Sequence, residues 1–116
     1  MAAGTLNLTI EQGTTWVSVL TWKINGTAVN LTGYAARMQA RRATGSVAKV
    51  LDLTSTPAAG ITLGGVLGTI TITLTEAQTK AIDPGTLVYD LELVSPSGEV
   101  TRLVQGHIDV PAEVTR

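Results

Sequence analysis

Reversal signals recur along the whole chain at intervals too short for helices. They are Gln12-Gly13, Asn25-Gly26, Thr32-Gly33, Thr44-Gly45, Pro57 to Gly60, Gly64-Gly65, Asp83-Pro84-Gly85 and Pro96-Ser97-Gly98. Short runs of alternating apolar and polar residues lie between them, a pattern that specifies strands packed as a sandwich or barrel. Threonine is the most frequent residue, and valine, isoleucine and leucine dominate the apolar set. Both biases favour strands. At 116 residues the chain is long enough for one domain with its own core, spanning residues 1–116.

The alternation assigns faces. Leu6, Leu8 and Ile10 share one side of the first run; Trp16, Ser18, Leu20 and Trp22 share one side of the second, with Val17, Val19 and Thr21 opposite. Asn25-Gly26 predicts a tight hairpin, because both residues tolerate positive φ. In the third run Tyr34, Ala36, Met38 and Ala40 face inward, and Ala35, Arg37, Gln39 and Arg41 outward. Leu51 and Leu53 point in, as do Ile70, Ile72 and Leu74, leaving Thr69, Thr71 and Thr73 outside. The expected core comprises Leu8, Trp16, Leu20, Met38, Ile70, Ile72, Tyr89, Leu91 and Ile108. Apolar parity slips between Leu103 and Ile108, and the intervening Gly106 predicts a β-bulge there.

One stretch, TITITLTEAQTKAIDPGTLVYDLEL (Thr69–Leu93), changes period twice. Thr75 followed three residues later by Gln78 predicts a capping box and a short helical turn at about 75–82. Pro84 stops it. Gly85 then turns the chain into a strand with Leu87, Tyr89, Leu91 and Leu93 inward and Val88, Asp90, Glu92 and Val94 outward. A helical turn, Asp-x-Gly and a strand of alternate large residues is the corner by which immunoglobulin-like domains cross between sheets. In antibody domains a tyrosine and a cysteine occupy the positions of Leu87 and Tyr89; here both are expected to be packing residues. The expected fold is an all-β, immunoglobulin-like antiparallel β-sandwich with one helical turn.

No constellation of catalytic groups is visible. His107, the only histidine, has neither cysteine nor clustered carboxylates near it and reads as a surface strand residue. Asp90 and Glu92 stand two apart on one strand face, a spacing of ~7 Å, which invites comparison with paired glycosidase carboxylates. Arg37 and Arg41 lie outward on a strand expected to neighbour theirs, so a cross-strand row of ion pairs is the better account. There is no phosphate-binding loop, nucleophile elbow or calcium loop. An enzyme is not expected, and no catalytic, cofactor-binding or metal-ligating residue is assigned. Asn7, Asn25 and Asn30 each sit in Asn-x-Thr, which the abundance of threonine explains by coincidence. The TITIT row suggests a flat ice-binding face, but such faces are built from repeats and the chain has none.

Net charge is −1, with 8 basic and 9 acidic residues spread along the sequence, so neither nucleic acid nor an anionic membrane is an expected partner. No apolar run reaches the ~18 residues of a membrane span, and no secretory signal is visible at the start. With no cysteine, the sequence implies neither disulfides nor a thiolate metal site. Only 15% of residues are charged, against ~25% in an average soluble domain, and mean hydropathy is +0.28. A surface this neutral fits either a threonine-rich sandwich or a domain partly covered by neighbouring subunits.

Four segments in order, TIEQGTTWVSVLTWK (Thr9–Lys23), NLTGYAARMQAR (Asn30–Arg41), GITLGGVLGTITITLT (Gly60–Thr75) and GTLVYDLELVSPSGEVTRLVQGHIDVPAEVTR (Gly85–Arg116), resemble small immunoglobulin-like virion proteins of tailed bacteriophages. The chain is similar over essentially its whole length to the N-terminal domain of a phage baseplate upper protein. Ser18 and Leu87 depart from the family, which carries a larger apolar residue and an aromatic there; both are differences of packing. The resemblance implies a non-catalytic virion component of the tail, baseplate or neck, present in several copies, that docks other virion proteins or fibres. It implies no cofactor. The alternative is a stand-alone host-surface or carbohydrate-binding sandwich, which calls for exposed aromatics, whereas aromatic residues make up 3% of this chain. The tails MAAGTL and PAEVTR have few apolar residues with which to fold back, so at least one terminus is expected to be ordered by a neighbour.

Overall fold

A computed structural model describes residues 4–56 and 58–114. Eleven strands follow in chain order: β1 (Gly4–Thr5), β2 (Leu8–Thr9), β3 (Trp16–Thr21), β4 (Lys23–Ile24), β5 (Thr27–Ala28), β6 (Ala35–Arg41), β7 (Leu51–Thr54), β8 (Ile61–Leu63), β9 (Thr69–Leu74), β10 (Gly85–Val94) and β11 (Val100–Val110). A 3₁₀ turn (Gly65–Leu67) precedes β9, and one short helix, α1 (Glu76–Lys80), lies between β9 and β10.

One sheet has the order β1-β11-β10-β6-β7, with β2 also on β11; the other is β3-β9-β8; β4 and β5 form a separate ribbon. The neighbours within both main sheets are antiparallel, except that β1 and β2 run parallel to β11. This arrangement is an immunoglobulin-like sandwich: three central strands plus one extra on the larger sheet, three on the smaller, and the first strand laid along the last.

The two inner faces meet in a core of Ile10, Leu31, Met38, Leu53, Ile61, Ile70, Ile72, Leu74, Leu87, Tyr89, Leu91, Leu93 and Ile108, with smaller side chains between them. The faces expected for β6, β9 and β10 are those observed. Leu8, Trp16 and Leu20 were expected in the core but are only half-buried against it. The cause is topological. For Trp16 and Leu20, among the described residues no strand flanks β3 on the side away from β9, because the N-terminal segment, Leu8 included, pairs with β11 instead.

The corner forms as its sequence dictates. Thr75 caps α1 reciprocally: Gln78 N donates to Thr75 Oγ1 at 3.2 Å, and Thr75 N donates to Gln78 Oε1 at 2.8 Å. Thr79, fully buried, donates from Oγ1 to Thr14 O at 2.7 Å and to Glu76 O at 3.1 Å, tying the helix to the segment entering β3. Asn25 and Gly26 both have positive φ (51° and 79°) in the two-residue β4–β5 turn, which matches the strand twist.

The bulge lies elsewhere than expected. Leu91 pairs with Val104 and Glu92 with Arg102, so Leu103 is the extra residue and accounts for the slip in parity. Gly106 is in register opposite Tyr89 and serves another purpose. A Cβ there would collide with Leu6 O and come within 2.9 Å of Asn7 Oδ1. Its bareness lets the chain pass where β1 gives way to β2. Tyr89, expected only to pack, donates its hydroxyl to Leu6 O at 2.5 Å. Its burial pushes the phenol up from the ordinary 10.0 to about 12.

The described parts of both tails are held by the domain itself. Gly4 and Thr5 pair with Val104 and Gln105. The Gln12 side chain donates from Nε2 to Ile82 O at 3.0 Å and accepts from Glu113 N at 2.9 Å, binding the C-terminal segment to the helical corner. Of the two tails expected to be ordered by a neighbour, Met1 to Ala3 and Thr115 to Arg116 lie outside the described residues.

Candidate interaction surfaces

The two outer faces of the sandwich differ in chemistry. On the larger sheet, cross-strand register arranges the outward side chains in rows: Arg37, Glu92 and Arg102; Asp52, Gln39, Asp90 and Gln105; Arg41, Val88 and His107. Arg37 Nε donates to Glu92 Oε1 at 2.8 Å, as the sequence leads one to expect. Arg41 departs from the expected pairing. It faces Val88, not Asp90 or Glu92, and donates from Nη1 to Ser46 O at 2.8 Å and Val47 O at 2.6 Å. Asp90 is served from the opposite strand, with Arg102 Nε 3.5 Å from its Oδ2 and 3.9 Å from Glu92 Oε2. Sequence reasoning missed Arg102 because the Leu103 bulge sets which residues of β11 face outward.

These carboxylates are thus held in a solvent-accessible ion-pair network across the outer face of the sheet. His107 is exposed, and its backbone N–H donates to Asn7 Oδ1 at 3.1 Å. A shallow depression of about 510 Å³ includes Gln39, Arg41, Asp90, Arg102, Gln105 and His107. Among the described residues no group of three or more histidine, aspartate or glutamate side chains is placed to hold a metal ion. Among the described residues no helix is long and apolar enough to cross a membrane.

The smaller sheet carries no charged residue in any of its three strands. Its outer face presents Val17, Val19 and Thr21 from β3, Thr69, Thr71 and Thr73 from β9, and Thr62 from β8. Val17 and Val19 are 56% and 59% exposed. Val66 and Leu67, on the turn leading into β9, are also exposed. At one end of the sandwich a second depression, of about 390 Å³, is lined in part by Trp22, Tyr34, Glu99 and Arg102. There the two aromatic rings meet edge to face at 6.2 Å.

The strand order and the corner define an immunoglobulin-like domain. No family model matches the sequence, and no curated protein matches it. Among solved structures it is similar to one from photo-crosslinking analyses of multimeric cell-adhesive interactions of VGSC beta subunits. The two are 12% identical with a TM-score of 0.47, over 97% of this chain and 98% of that one. A likeness that distant carries nothing about function.

Proposed function

We propose that the chain is a structural docking component of a bacteriophage virion, in the tail, baseplate or neck, where it contacts other virion proteins or fibres in several copies. The observation that supports this reading is the uncharged valine and threonine face of the β3-β9-β8 sheet, with Val17 and Val19 more than half exposed on it. A contact on this face is made through apolar packing and hydroxyl or main-chain hydrogen bonds, since no side chain of these strands can form an ion pair. The ordered sequence resemblance to phage virion proteins supplies the assembly. No catalytic step is assigned to any residue.

Mass spectrometry of purified particles from the source phage or prophage, with a reconstruction of the particle, tests the proposal. The chain is expected at stoichiometric copy number, with Val17 and Val19 against protein. Its absence from intact particles refutes the reading.

A second reading, a sugar-binding module, is favoured by one observation: Trp22 and Tyr34 line a depression that also holds Glu99 and Arg102, an aromatic wall beside polar groups. A glycan array distinguishes the two. Binding that Trp22→Ala abolishes, by a chain missing from particles, supports this second reading.

A further inference from the structure

The edge of β3 is unguarded. Among the described residues β3 pairs only with β9. Trp22 N donates to Gly68 O at 2.9 Å, while Thr69 O and Thr73 N bond toward β8, accepting from Gly64 N and donating to Gly60 O. Hydrogen-bonded pairs alternate along an antiparallel ladder. Hence the main-chain groups of Trp16, Ser18 and Leu20 point to β9, and those of Val17, Val19 and Thr21 point to the free edge. Natural edges are blunted by charge, proline, a bulge or shortness. The β7 edge carries Asp52, paired with Lys49 at 3.3 Å; β1 and β2 have two residues each and β8 has three. β3 has six residues, with no charge and no proline.

We propose that this edge pairs, antiparallel, with β3 of a second copy of the chain about a two-fold axis through Ser18. This deepens the docking reading, since it names one partner for the same sheet. A two-fold axis normal to the sheet keeps equivalent residues on the same face, so the register is self-complementary. Val17 faces the partner's Val19, and Val19 the partner's Val17, as hydrogen-bonded pairs on the exposed outer face. Ser18 meets the partner's Ser18 on the inner face. Trp16 faces the partner's Leu20, and these are two of the side chains that a missing flanking strand leaves half-buried. The edge has no charge to repel its copy. In this register the end of β3 at Thr21 lies level with the partner's Thr15, where the partner's strand begins.

Six residues span only ~20 Å of edge, well short of the ~800 Å² per partner of a standard complex. Pairing is therefore weak between free copies and strengthens where a scaffold holds copies together.

Residue-resolved amide exchange over a concentration series up to ~1 mM tests the proposal, with the Val17 and Val19 amides expected to slow by ~10-fold or more as concentration rises. The Ser18 and Leu20 amides, already bonded to β9, should not change. In the Val19→Lys variant, whose substitution falls on an exposed position, the concentration dependence should vanish with the fold intact. Since the chain has no cysteine, Ser18→Cys provides a trap. Non-hydrogen-bonded partners ~4.5 Å apart at Cα lie within disulfide reach, so this variant should oxidise to a dimer faster than Ser97→Cys in the exposed β10–β11 turn. Exchange at Val17 and Val19 that ignores concentration overturns the proposal, as does equal dimer formation by the two cysteine variants. Either result leaves the particle composition, and hence the docking reading, standing.

Discussion

Replacing Gly106 with alanine should release the N-terminal segment from β11 while sparing the rest of the sandwich. The added Cβ meets Leu6 O and comes within 3.0 Å of Leu6 C, and these backbone atoms cannot swing aside as a side chain would. For the methyl to fit, residues 6 and 7 must lift. Three hydrogen bonds are then at risk: Leu6 N to Gln105 O at 3.0 Å, Tyr89 Oη to Leu6 O, and His107 N to Asn7 Oδ1. At ~1 kcal/mol each, and somewhat more for the buried tyrosine hydroxyl, the expected loss is ~3–4 kcal/mol. Urea unfolding of the wild type, Gly106→Ala, Tyr89→Phe and the double variant measures it. Both substitutions act through Leu6, so the double variant should be less destabilised than the sum of the two by ~1 kcal/mol, the non-additivity expected of neighbours. Amide exchange at Leu6 and His107 should accelerate in Gly106→Ala while Leu91 and Met38 stay protected. A loss below ~0.5 kcal/mol, within the range of an ordinary surface substitution, with Leu6 still protected, would refute the reasoning.

Ile72→Ala and Leu91→Ala, each removing a side chain buried between the sheets, should cost ~2–5 kcal/mol in denaturant unfolding; values under ~0.5 kcal/mol at both would show that neither packs as described. Thr79→Val keeps the shape but strips the buried donor from Thr14 O, and should cost ~1–3 kcal/mol, checked by thermal unfolding against Thr79→Ser, which retains the hydroxyl. Tyr89 makes stability fall in alkali: the unfolded chain releases its phenol proton near pH 10 while the folded chain keeps it to about 12. Between those values the unfolded state binds fewer protons, so stability declines with rising pH. Unfolding titrations should show Tyr89→Phe lacking that part of the decline, and identical slopes would contradict it. Arg37→Ala, which breaks an exposed pair, should change stability by only ~0.2–1 kcal/mol, with the difference shrinking in high salt.

Side-chain parity and turn chemistry carried most of the fold. Period-two alternation placed Met38, Ile70, Ile72 and Leu91 inside, and the Thr75/Gln78 spacing located the helical corner, because each is written within a few neighbouring residues. What escaped depends on contacts between residues far apart in sequence. Gly106 carries the same local signature whether it marks a bulge or a close approach, and only the passage of Leu6, one hundred residues earlier, decides between them. The shift of Arg102 into the ion-pair row follows from the bulge at Leu103, and Arg41 faces Val88 because of the β6–β10 register, which neither strand's own sequence specifies. The half-buried state of Trp16 and Leu20 was equally hidden, because a strand's periodicity does not reveal whether anything lies beside it. On the interaction surfaces, the absence of charge from β3, β8 and β9 was legible residue by residue, but that these strands form one sheet was not.

The Gln12 clasp makes the domain's C-terminal segment sensitive to loss of one amide group. Its amide presents a donor to Ile82 O and an acceptor to Glu113 N in a single geometry. Hydrolysis of that amide to glutamate would replace the donor with an oxygen facing the Ile82 carbonyl and add a negative charge to the same turn. The acceptor half of the clasp survives this change and the donor half does not. A molecule so changed would therefore keep its sandwich but lose its grip between the helical corner and residues 111–114. A one-dalton gain in mass at Gln12, accompanied by faster proteolysis of the C-terminal segment, would mark it.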